Sequence, residues 1–174
     1  MPLITYFFHF QKLDLLKEDE LYQFFIDIGP FEWIAHEAGQ VAVTTSLENP
    51  LSDFKSNALG TLHLLEAIRE HSQKSRLIYA STNKVYGDNP NKLPISESKT
   101  RWILNKKNKF YKGIDESMSI DNCTHSLFGV SKAYADLAVQ EYGKNIGLKT
   151  ACFRAGCITG PNHSGAKLHG FLSY

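Results

Sequence analysis

The sequence has few cysteines, almost no net charge and no long hydrophobic run. Its three cysteines, Cys123, Cys152 and Cys157, include no C-x-x-C pair, which favours reduced thiols over a disulfide framework. The net charge of +1 gives no reason to expect nucleic acid or an anionic membrane as a partner. The apolar residues 1–10 lack a basic flank and a small-residue cleavage site, and His9 interrupts them. We therefore expect no signal peptide, no membrane span and a cytoplasmic protein.

Three common ligand-binding patterns are absent as well. No two glycines are two residues apart, which excludes a G-x-G-x-x-G loop within the sequence. Residues 160–167 space their glycines like a P-loop, but Ala166 separates Gly165 from Lys167 and no Ser or Thr follows the lysine. We reject a P-loop there. The histidines and cysteines have no metal-ligand spacing, so no metal is implied.

The chain is long enough to bury one core, since 43% of its 174 residues are hydrophobic. Short apolar runs predict four strands, at Tyr6–Lys12, Phe31–His36, Leu77–Ala80 and Thr150–Phe153. Helical patterns separate these strands. Strands that alternate with helices predict an α/β fold with a parallel sheet.

Apolar residues at helical spacing predict three helices. The first ends at Gly29-Pro30 and has the apolar face Leu21, Phe24, Phe25 and Ile28. The second begins with an Asn49 cap and Pro50, and its apolar face is Leu51, Phe54, Ala58, Leu62, Leu65 and Ile68. The third is capped by Ser126 and has the apolar face Val130, Ala133, Leu137, Ala138 and Tyr142.

The strand at Leu77–Ala80 is followed by hydroxyl and amide side chains and then by Gly87. Its unbroken apolar run predicts a strand that is buried on both faces. In an open α/β sheet, ligands bind beyond the carboxyl ends of the strands, which would place Ser81 and Thr82 at the rim of a site. The same stretch also fits a strand that ends in an ordinary polar turn.

Residues 88–122 show little periodicity and predict a long loop. The loop contains the basic cluster Lys106-Lys107-Asn108-Lys109. This cluster fits either a phosphate contact or a solvated surface, and the solvated surface is the commoner case.

Several short motifs together resemble the extended short-chain dehydrogenase/reductases, in the NAD-dependent epimerase/dehydratase family. Phe128 and Lys132 lie at i and i+4, where that family has Tyr-x-x-x-Lys. The other matching segments are His36–Gln40, Asn57 with Gly60-Thr61 and Leu64–Ala67, and Ser81–Gly87. The resemblance implies a Rossmann-type doubly wound parallel sheet.

Within that family the sequence is similar to the CDP-tyvelose (CDP-paratose) 2-epimerases. The similar segments are Gly39-Gln40-Val41 with Thr44-Thr45-Ser46, Asn49-Pro50, Asp115-Glu116-Ser117 and Thr159–Gly165. The resemblance implies NAD as the cofactor, a nucleotide sugar as the substrate, and epimerisation by transient oxidation to a keto sugar. A sugar-nucleotide 4-epimerase and a 4,6-dehydratase remain alternatives, and a non-catalytic remnant that binds a partner is an alternative of another class.

The resemblance also implies a role for individual residues. Thr82 would hydrogen-bond the reacting hydroxyl, and Lys132 would hold the nicotinamide ribose and lower the pKa of a neighbouring base. Cofactor contacts would also come from Asp14, Leu15, Ala38, Gly39, Asn57 and Ser81. Alternatively, Lys132 is solvated and Asn57 is a helix surface residue.

Two departures from the family pattern affect these expectations. Phe128 occupies the position of the family's tyrosine and has no proton to exchange. The glycine-loop βαβ unit and the C-terminal substrate region are not found in residues 1–174, so we expect an incomplete NAD-binding domain that is inactive alone. A homo-oligomer or a complementing chain would complete such a fold.

Overall fold

The computed structural model describes residues 9–158, 160 and 161. Its helices are α1 (Glu18–Ile28), α2 (Val43–Glu48), α3 (Pro50–Phe54), α4 (Gly60–His71) and α5 (Ser126–Lys144). Its strands are β1 (Trp33–His36), β2 (Arg76–Ala80), β3 (Ile95–Glu97), β4 (Trp102–Leu104) and β5 (Lys149–Phe153). A π-helical turn at Lys55–Leu59 joins α3 to α4, and 3₁₀ turns follow at Asn83–Tyr86 and Asn89–Lys92.

Three of the strands form a parallel sheet in the order β1-β2-β5. Ala35 pairs with Ile78, and Ile78 pairs with Ala151. This pairing confirms the predicted parallel α/β arrangement and the strands predicted at Phe31–His36, Leu77–Ala80 and Thr150–Phe153. Of the strand predicted at Tyr6–Lys12, residues 6–8 lie outside the described residues, while His9–Lys12 form neither strand nor helix.

The core lies on one face of this sheet. Leu77 and Tyr79 of β2 are buried there against side chains of α1, α4 and α5. The residues of the helices in this core are Leu21, Phe25, Leu64, Leu65, Ala67, Ile68, Ala135 and Val139. On the other face Ile78 is half-buried, and Trp33 and Phe153 are exposed. The prediction that β2 is buried on both faces is therefore wrong for the described part of the chain.

Local signals fixed the ends of two helices as predicted. Acidic residues in the first turn of α1 favour its N-terminus, and the amide of Gly29 donates to the carbonyl of Phe25 at its end. The side chain of Asn49 accepts a hydrogen bond from the amide of Ser52, 3.1 Å away, and Pro50 opens α3.

The apolar face predicted for the second helix does not run its whole length. Ala58, Leu65 and Ile68 are buried, but Leu51 and Phe54 are exposed. The cause is the π turn, which carries an additional residue and offsets α3 from α4. On α3 the buried side chain is Asp53 instead.

The face predicted for α5 is buried only in part, since Ala133, Ala138 and Tyr142 are half-buried against the two cores. Val130 and Leu137 are exposed. The buried residues of the helix are Phe128, Gly129, Ser131, Lys132, Ala135, Asp136 and Val139. Three of these are polar, namely Ser131, Lys132 and Asp136, so a search for apolar periodicity does not find them. The helix does begin at Ser126, whose hydroxyl accepts from the amide of Gly129 at 3.2 Å.

The predicted loop at 88–122 contains regular structure. β3 and β4 form an antiparallel hairpin in which Ile95 pairs with Leu104 and Glu97 with Trp102. A second small core lies beside it and consists of Val85, Tyr86, Phe110 and Met118. The short strands escaped prediction because three-residue runs show no clear period. In the described part of the chain, no helix is long and apolar enough to cross a membrane.

Candidate functional site

The candidate site lies at the carboxyl edge of the parallel sheet, where β1, β2 and β5 all end. Parallel strands end at the same edge, so the turns that begin at Glu37, Ser81 and Arg154 meet there. The amide of Asn83 donates to the carbonyl of Ala155 over 2.9 Å and joins two of these turns. Four residues with predicted site roles lie at this edge, namely Ala38, Gly39, Ser81 and Thr82.

Thr82 has an accessible hydroxyl at the end of β2. It lies in extended conformation before the 3₁₀ turn, and its oxygen accepts from the amide of Lys84 at 3.3 Å. The side chain is half-buried. The hydroxyl donates to Oδ1 of Asn83 over a long 3.4 Å, and it would give up this weak bond to donate to a ligand at the sheet edge. Its catalytic role stays a prediction.

Lys132 reaches the same strand end from α5. Its Nζ donates to the carbonyl of Ala80 at 2.7 Å and lies 4.3 Å from the centre of the Tyr79 ring. The side chain is buried, which corrects the alternative that it is solvated. Burial lowers the pKa of Lys132 to about 8, and the carboxylate of Asp136 opposes this shift only in part.

Phe128 lies one helical turn before Lys132 and is buried. The side chain at this position therefore has no group that can donate or accept a proton. Tyr86 is also buried, and its hydroxyl accepts from Nη1 of Arg154 at 3.1 Å. Tyr134 is partly exposed and packs on the ring of Phe54. Neither tyrosine occupies the position of Phe128.

Ser81 is turned into the protein rather than towards the edge. Its hydroxyl donates to Oδ2 of Asp136 at 2.5 Å. Both oxygens of that carboxylate also accept from the guanidinium of Arg154, at 2.7 and 3.1 Å. Burial alone would raise the pKa of Asp136, but the hydrogen bonds from Arg154 and Ser81 hold that pKa below its usual value. This ion pair ties the ends of β2 and β5 to α5.

Asn57 is a core residue, which corrects the alternative that it lies on a helix surface. Its Nδ2 donates to the hydroxyl of Ser131 at 3.0 Å and to Asp53 at 3.3 Å, and its Oδ1 accepts from the amide of Gln40 at 2.9 Å. The hydroxyl of Ser131 donates to Asp53 at 2.6 Å. We call these four residues, Gln40, Asp53, Asn57 and Ser131, the polar lock. It holds the turn after β1 against α3 and α5.

Gly39 packs directly on the polar lock. A methyl group at position 39 would lie 2.6 Å from Oδ1 of Asn57, which is too close for any other residue type without a shift. The predicted cofactor positions Gly39 and Asn57 are therefore brought together by the fold. The side-chain oxygen and nitrogen of Asn57 are engaged inside the protein.

Asp14 and Leu15 lie before α1, and Leu15 reaches the candidate site. Asp14 accepts from the amide of Leu16 at 3.0 Å, within its own turn. Leu15 and Ala38 line a cavity of about 300 Å³ whose other walls include Phe24, Ile34 and His36. This cavity is largely apolar and opens beside β1.

His36 and the ion pair of Asp136 with Arg154 were not among the predicted site residues. Nε2 of His36 lies 2.9 Å from the hydroxyl of Thr61, which itself donates to the carbonyl of Asn57. Burial lowers the pKa of His36 to about 4, and the charge of Lys132 adds to the shift. One sequence signal was available for Asp136, since it lies four residues after Lys132 and so on the same helical face.

Comparison with known proteins places the chain in a family. The model of the NAD dependent epimerase/dehydratase family matches residues 2–174. The chain is 44% identical over 126 residues to CDP-paratose 2-epimerase from Salmonella typhi, covering 72% of this chain and 35% of that protein. It is 32% identical over 156 residues to Protein CapI from Staphylococcus aureus, covering 88% of this chain and 39% of that protein. It thus spans well under half the length of these relatives.

A solved structure shares the fold. The UDP-glucose 4-epimerase of Thermus thermophilus, in complex with NAD, superposes with a TM-score of 0.66 at 27% identity, covering 87% of this chain and 42% of that one. The predicted Rossmann-type α/β fold is thereby confirmed. Because the family model spans nearly the whole sequence, the chain belongs to the NAD dependent epimerase/dehydratase family.

Proposed function

We propose that this chain forms part of an NAD-dependent sugar-nucleotide epimerase that inverts C2 of a CDP-activated deoxysugar, as in the interconversion of CDP-paratose and CDP-tyvelose. The observation that carries the proposal is the 44% identity to CDP-paratose 2-epimerase. The activity is that of a whole enzyme, of which this chain matches 35%. NAD supplies the chemistry of such an enzyme by accepting hydride from the sugar carbon and returning it to the opposite face.

Thr82 and Lys132 are the residues that we assign to the sugar. The hydroxyl of Thr82 hydrogen-bonds the sugar hydroxyl whose proton must leave, since it is the accessible hydroxyl at the end of β2. Lys132 places a titratable amine beside that strand end, 2.7 Å from the carbonyl of Ala80. With its pKa near 8, this amine is charged at neutral pH and favours the ionised form of a nearby base.

The described residues offer a contact to each end of NAD. The apolar cavity beside Leu15 and Ala38 has the character of a site for a flat ring such as adenine. At the nicotinamide end, one N–H of the Lys132 ammonium donates to the carbonyl of Ala80, which leaves two for the ribose. Asn57 and Ser81 support the site indirectly, through the polar lock and Asp136.

Phe128 leaves the proton transfer of this reaction without its usual agent. The buried ring can pack against a bound ligand but cannot take a proton. Losing a general base slows a reaction by about 10²–10⁴-fold and does not abolish it. We therefore propose a slow enzyme in which the sugar hydroxyl loses its proton to solvent or to a group outside residues 9–158.

The test is a graft. Residues 9–158 replace the matching segment of the Salmonella typhi CDP-paratose 2-epimerase, and the hybrid is supplied with NAD and with CDP-paratose, CDP-tyvelose or UDP-glucose. We expect inversion at C2 of the CDP-sugars and none at C4 of UDP-glucose. Because hydride returns to the same carbon, the product formed in D₂O carries no deuterium at C2. Inversion only at C4, or dehydration, would support the 4-epimerase or 4,6-dehydratase alternatives instead.

Matched variants of the graft identify the residues. Thr82→Val removes the hydroxyl with little change in size, and we expect turnover to fall about 10²-fold or more, while Thr82→Ser retains most of it. Phe128→Tyr is expected to raise turnover. A graft that folds and binds NAD but is inactive with either residue at position 128 would support the non-catalytic alternative.

A further inference from the structure

The positive charge of the chain is concentrated in one segment. Residues 92–113 contain seven basic residues and a single acidic one, Glu97, so the remainder of a chain with net charge +1 carries −5. Within the described residues, Lys92 pairs with Asp88 at 3.1 Å. The other six basic residues of the segment are exposed and form no ion pair there, namely Lys99, Arg101, Lys106, Lys107, Lys109 and Lys112.

The same segment exposes large apolar side chains on the β3–β4 hairpin. Five of the six strand residues of this hairpin are exposed, and the sixth, Leu104, is half-buried. Trp102 is 61% exposed, Ile95 is 54% exposed, and Ile103 is also exposed on the opposite face. The hairpin thus projects from the second core, to which only the half-buried Leu104 attaches it.

Basic residues flank these apolar side chains at both ends. Lys99 and Arg101 lie in the turn between the strands, and Lys106 and Lys107 follow β4 at the other end. β4 has three residues, so the two groups of charges lie about 10–20 Å apart with Trp102 and Ile103 between them. Exposed tryptophan and isoleucine bordered by lysines is the pattern of segments that lie in a membrane interface.

We propose that the β3–β4 hairpin and the following basic loop, residues 92–113, dock on an anionic phospholipid surface. The lysines and Arg101 bind the lipid phosphates and carboxylates, and Trp102 and Ile95 insert at the level of the headgroups. The chain lies on the surface and does not span it. The small overall charge conceals this site because the acidic residues lie elsewhere in the sequence.

The composition of the segment favours lipid over the other anionic partners. Protein interfaces are enriched in arginine and depleted in lysine, whereas five of the six unpaired cations here are lysines. Sites for single-stranded nucleic acid stack bases on aromatic rings, which gives no role to the exposed Ile95 and Ile103. The aliphatic stems of lysines and the side chains of isoleucines are both stabilised at the boundary between the lipid headgroups and the acyl chains.

The experiment uses the fluorescence of Trp102 and vesicle flotation. The sequence has two tryptophans, so Trp33→Phe leaves Trp102 as the only reporter. We expect its emission to shift to the blue with vesicles of phosphatidylcholine and phosphatidylserine, but not with phosphatidylcholine alone. Flotation with the anionic vesicles should decrease as salt is raised.

Two sets of variants with equal charge change separate the hairpin from a general charge effect. Lys106→Gln, Lys107→Gln and Lys109→Gln together should weaken vesicle binding about 100-fold. The control neutralises three exposed lysines elsewhere, Lys55→Gln, Lys74→Gln and Lys149→Gln, and should bind as the parent does. Equal loss in both sets, or equal binding to neutral vesicles, would overturn the proposal. Competition with single-stranded DNA is a further test. If the DNA displaces the protein from vesicles and gives the same Trp102 shift on its own, the hairpin binds nucleic acid and the proposal is overturned.

Discussion

Lys132 is a buried cation without a carboxylate of its own. The nearest acidic group on α5, Asp136, is already paired with Arg154 at 2.7 Å. The ammonium is held instead by the carbonyl of Ala80 and the face of Tyr79. These partners compensate less than a carboxylate does, which is why burial depresses the pKa of this amine.

The depressed pKa of Lys132 predicts a specific pH dependence of stability. Between pH 8 and 10.5 the unfolded chain binds the Lys132 proton more tightly than the folded chain, so the free energy of unfolding rises with pH over that window. The slope from this one group is at most about 1.4 kcal/mol per pH unit. Lys132→Met should remove it. Denaturant titrations of both proteins check this prediction, since tyrosine and cysteine contributions cancel in the difference, and parallel pH profiles would contradict it.

Gly39 tests how rigidly the polar lock is held. Alanine at this position would place its methyl group 2.6 Å from Oδ1 of Asn57, whose hydrogen bonds leave it no room to move. We expect Gly39→Ala to lower the free energy of unfolding by about 1–3 kcal/mol. Gly156→Ala is the control, because no atom lies within 4 Å of its added carbon. Equal melting temperatures for the two variants would show that Asn57 is mobile.

At the scale of the element, α5 is a helix that buries polar residues and exposes apolar ones. Ser131, Lys132 and Asp136 lie on its buried face, and each forms at least one hydrogen bond with a partner outside the helix. The helix therefore serves both as a wall of the core and as the support of the candidate site.

Removing one member of the buried ion pair should be costly. Asp136→Ala leaves the guanidinium of Arg154 without a carboxylate, although the side chain of Arg154 is only 15% exposed. We expect the free energy of unfolding to fall by about 3 kcal/mol. Leu137→Ala on the same helix should cost about 0.5 kcal/mol, because Leu137 is exposed. Adding Arg154→Met to Asp136→Ala should restore part of the loss, whereas additive losses in thermal melts would argue against a direct pair.

The elements that the sequence predicted well depend on neighbours in the chain. The run Leu77–Ala80, the Gly29-Pro30 stop and the Asn49-Pro50 cap act over a few residues, and the structure has each of them. The buried face of α5 depends on distant residues instead. Ser131 bonds Asp53, 78 positions away, and Asp136 bonds Ser81, 55 positions away. No local pattern shows that a polar side chain will find such a partner, so apolar periodicity missed the most deeply buried side of the helix.

At the scale of the molecule, the exposed apolar residues of α5 form a continuous stripe. Leu127, Val130, Tyr134 and Leu137 are each between 41% and 51% exposed. Their spacing of three, four and three residues is that of a helix–helix seam. The ring of Phe54 packs on Tyr134 and widens the stripe towards α3.

This stripe predicts self-association of the chain. It carries no charge, so two copies can pack their α5 helices together without electrostatic repulsion. Val130→Lys with Leu137→Lys should shift the protein to monomer in sedimentation velocity at matched concentrations. Ile28→Lys, a substitution of an equally exposed residue on α1, should leave the association unchanged. A parent protein that is monomeric throughout would contradict the prediction.

The π turn between α3 and α4 makes the number of residues there as important as their identity. The amide of Gly60 donates to the carbonyl of Lys55, five residues back, so this turn holds one residue more than an α-helical turn. Deleting one residue from Lys55–Leu59 would leave an unbroken helix but would rotate α4 by about 100° relative to α3. Leu65 and Ile68 would then leave the core if the polar lock stayed closed. The orientation of α4 relative to α3 therefore depends on the number of residues between them. A relative with a different number of residues here must also change the packing of either α3 or α4.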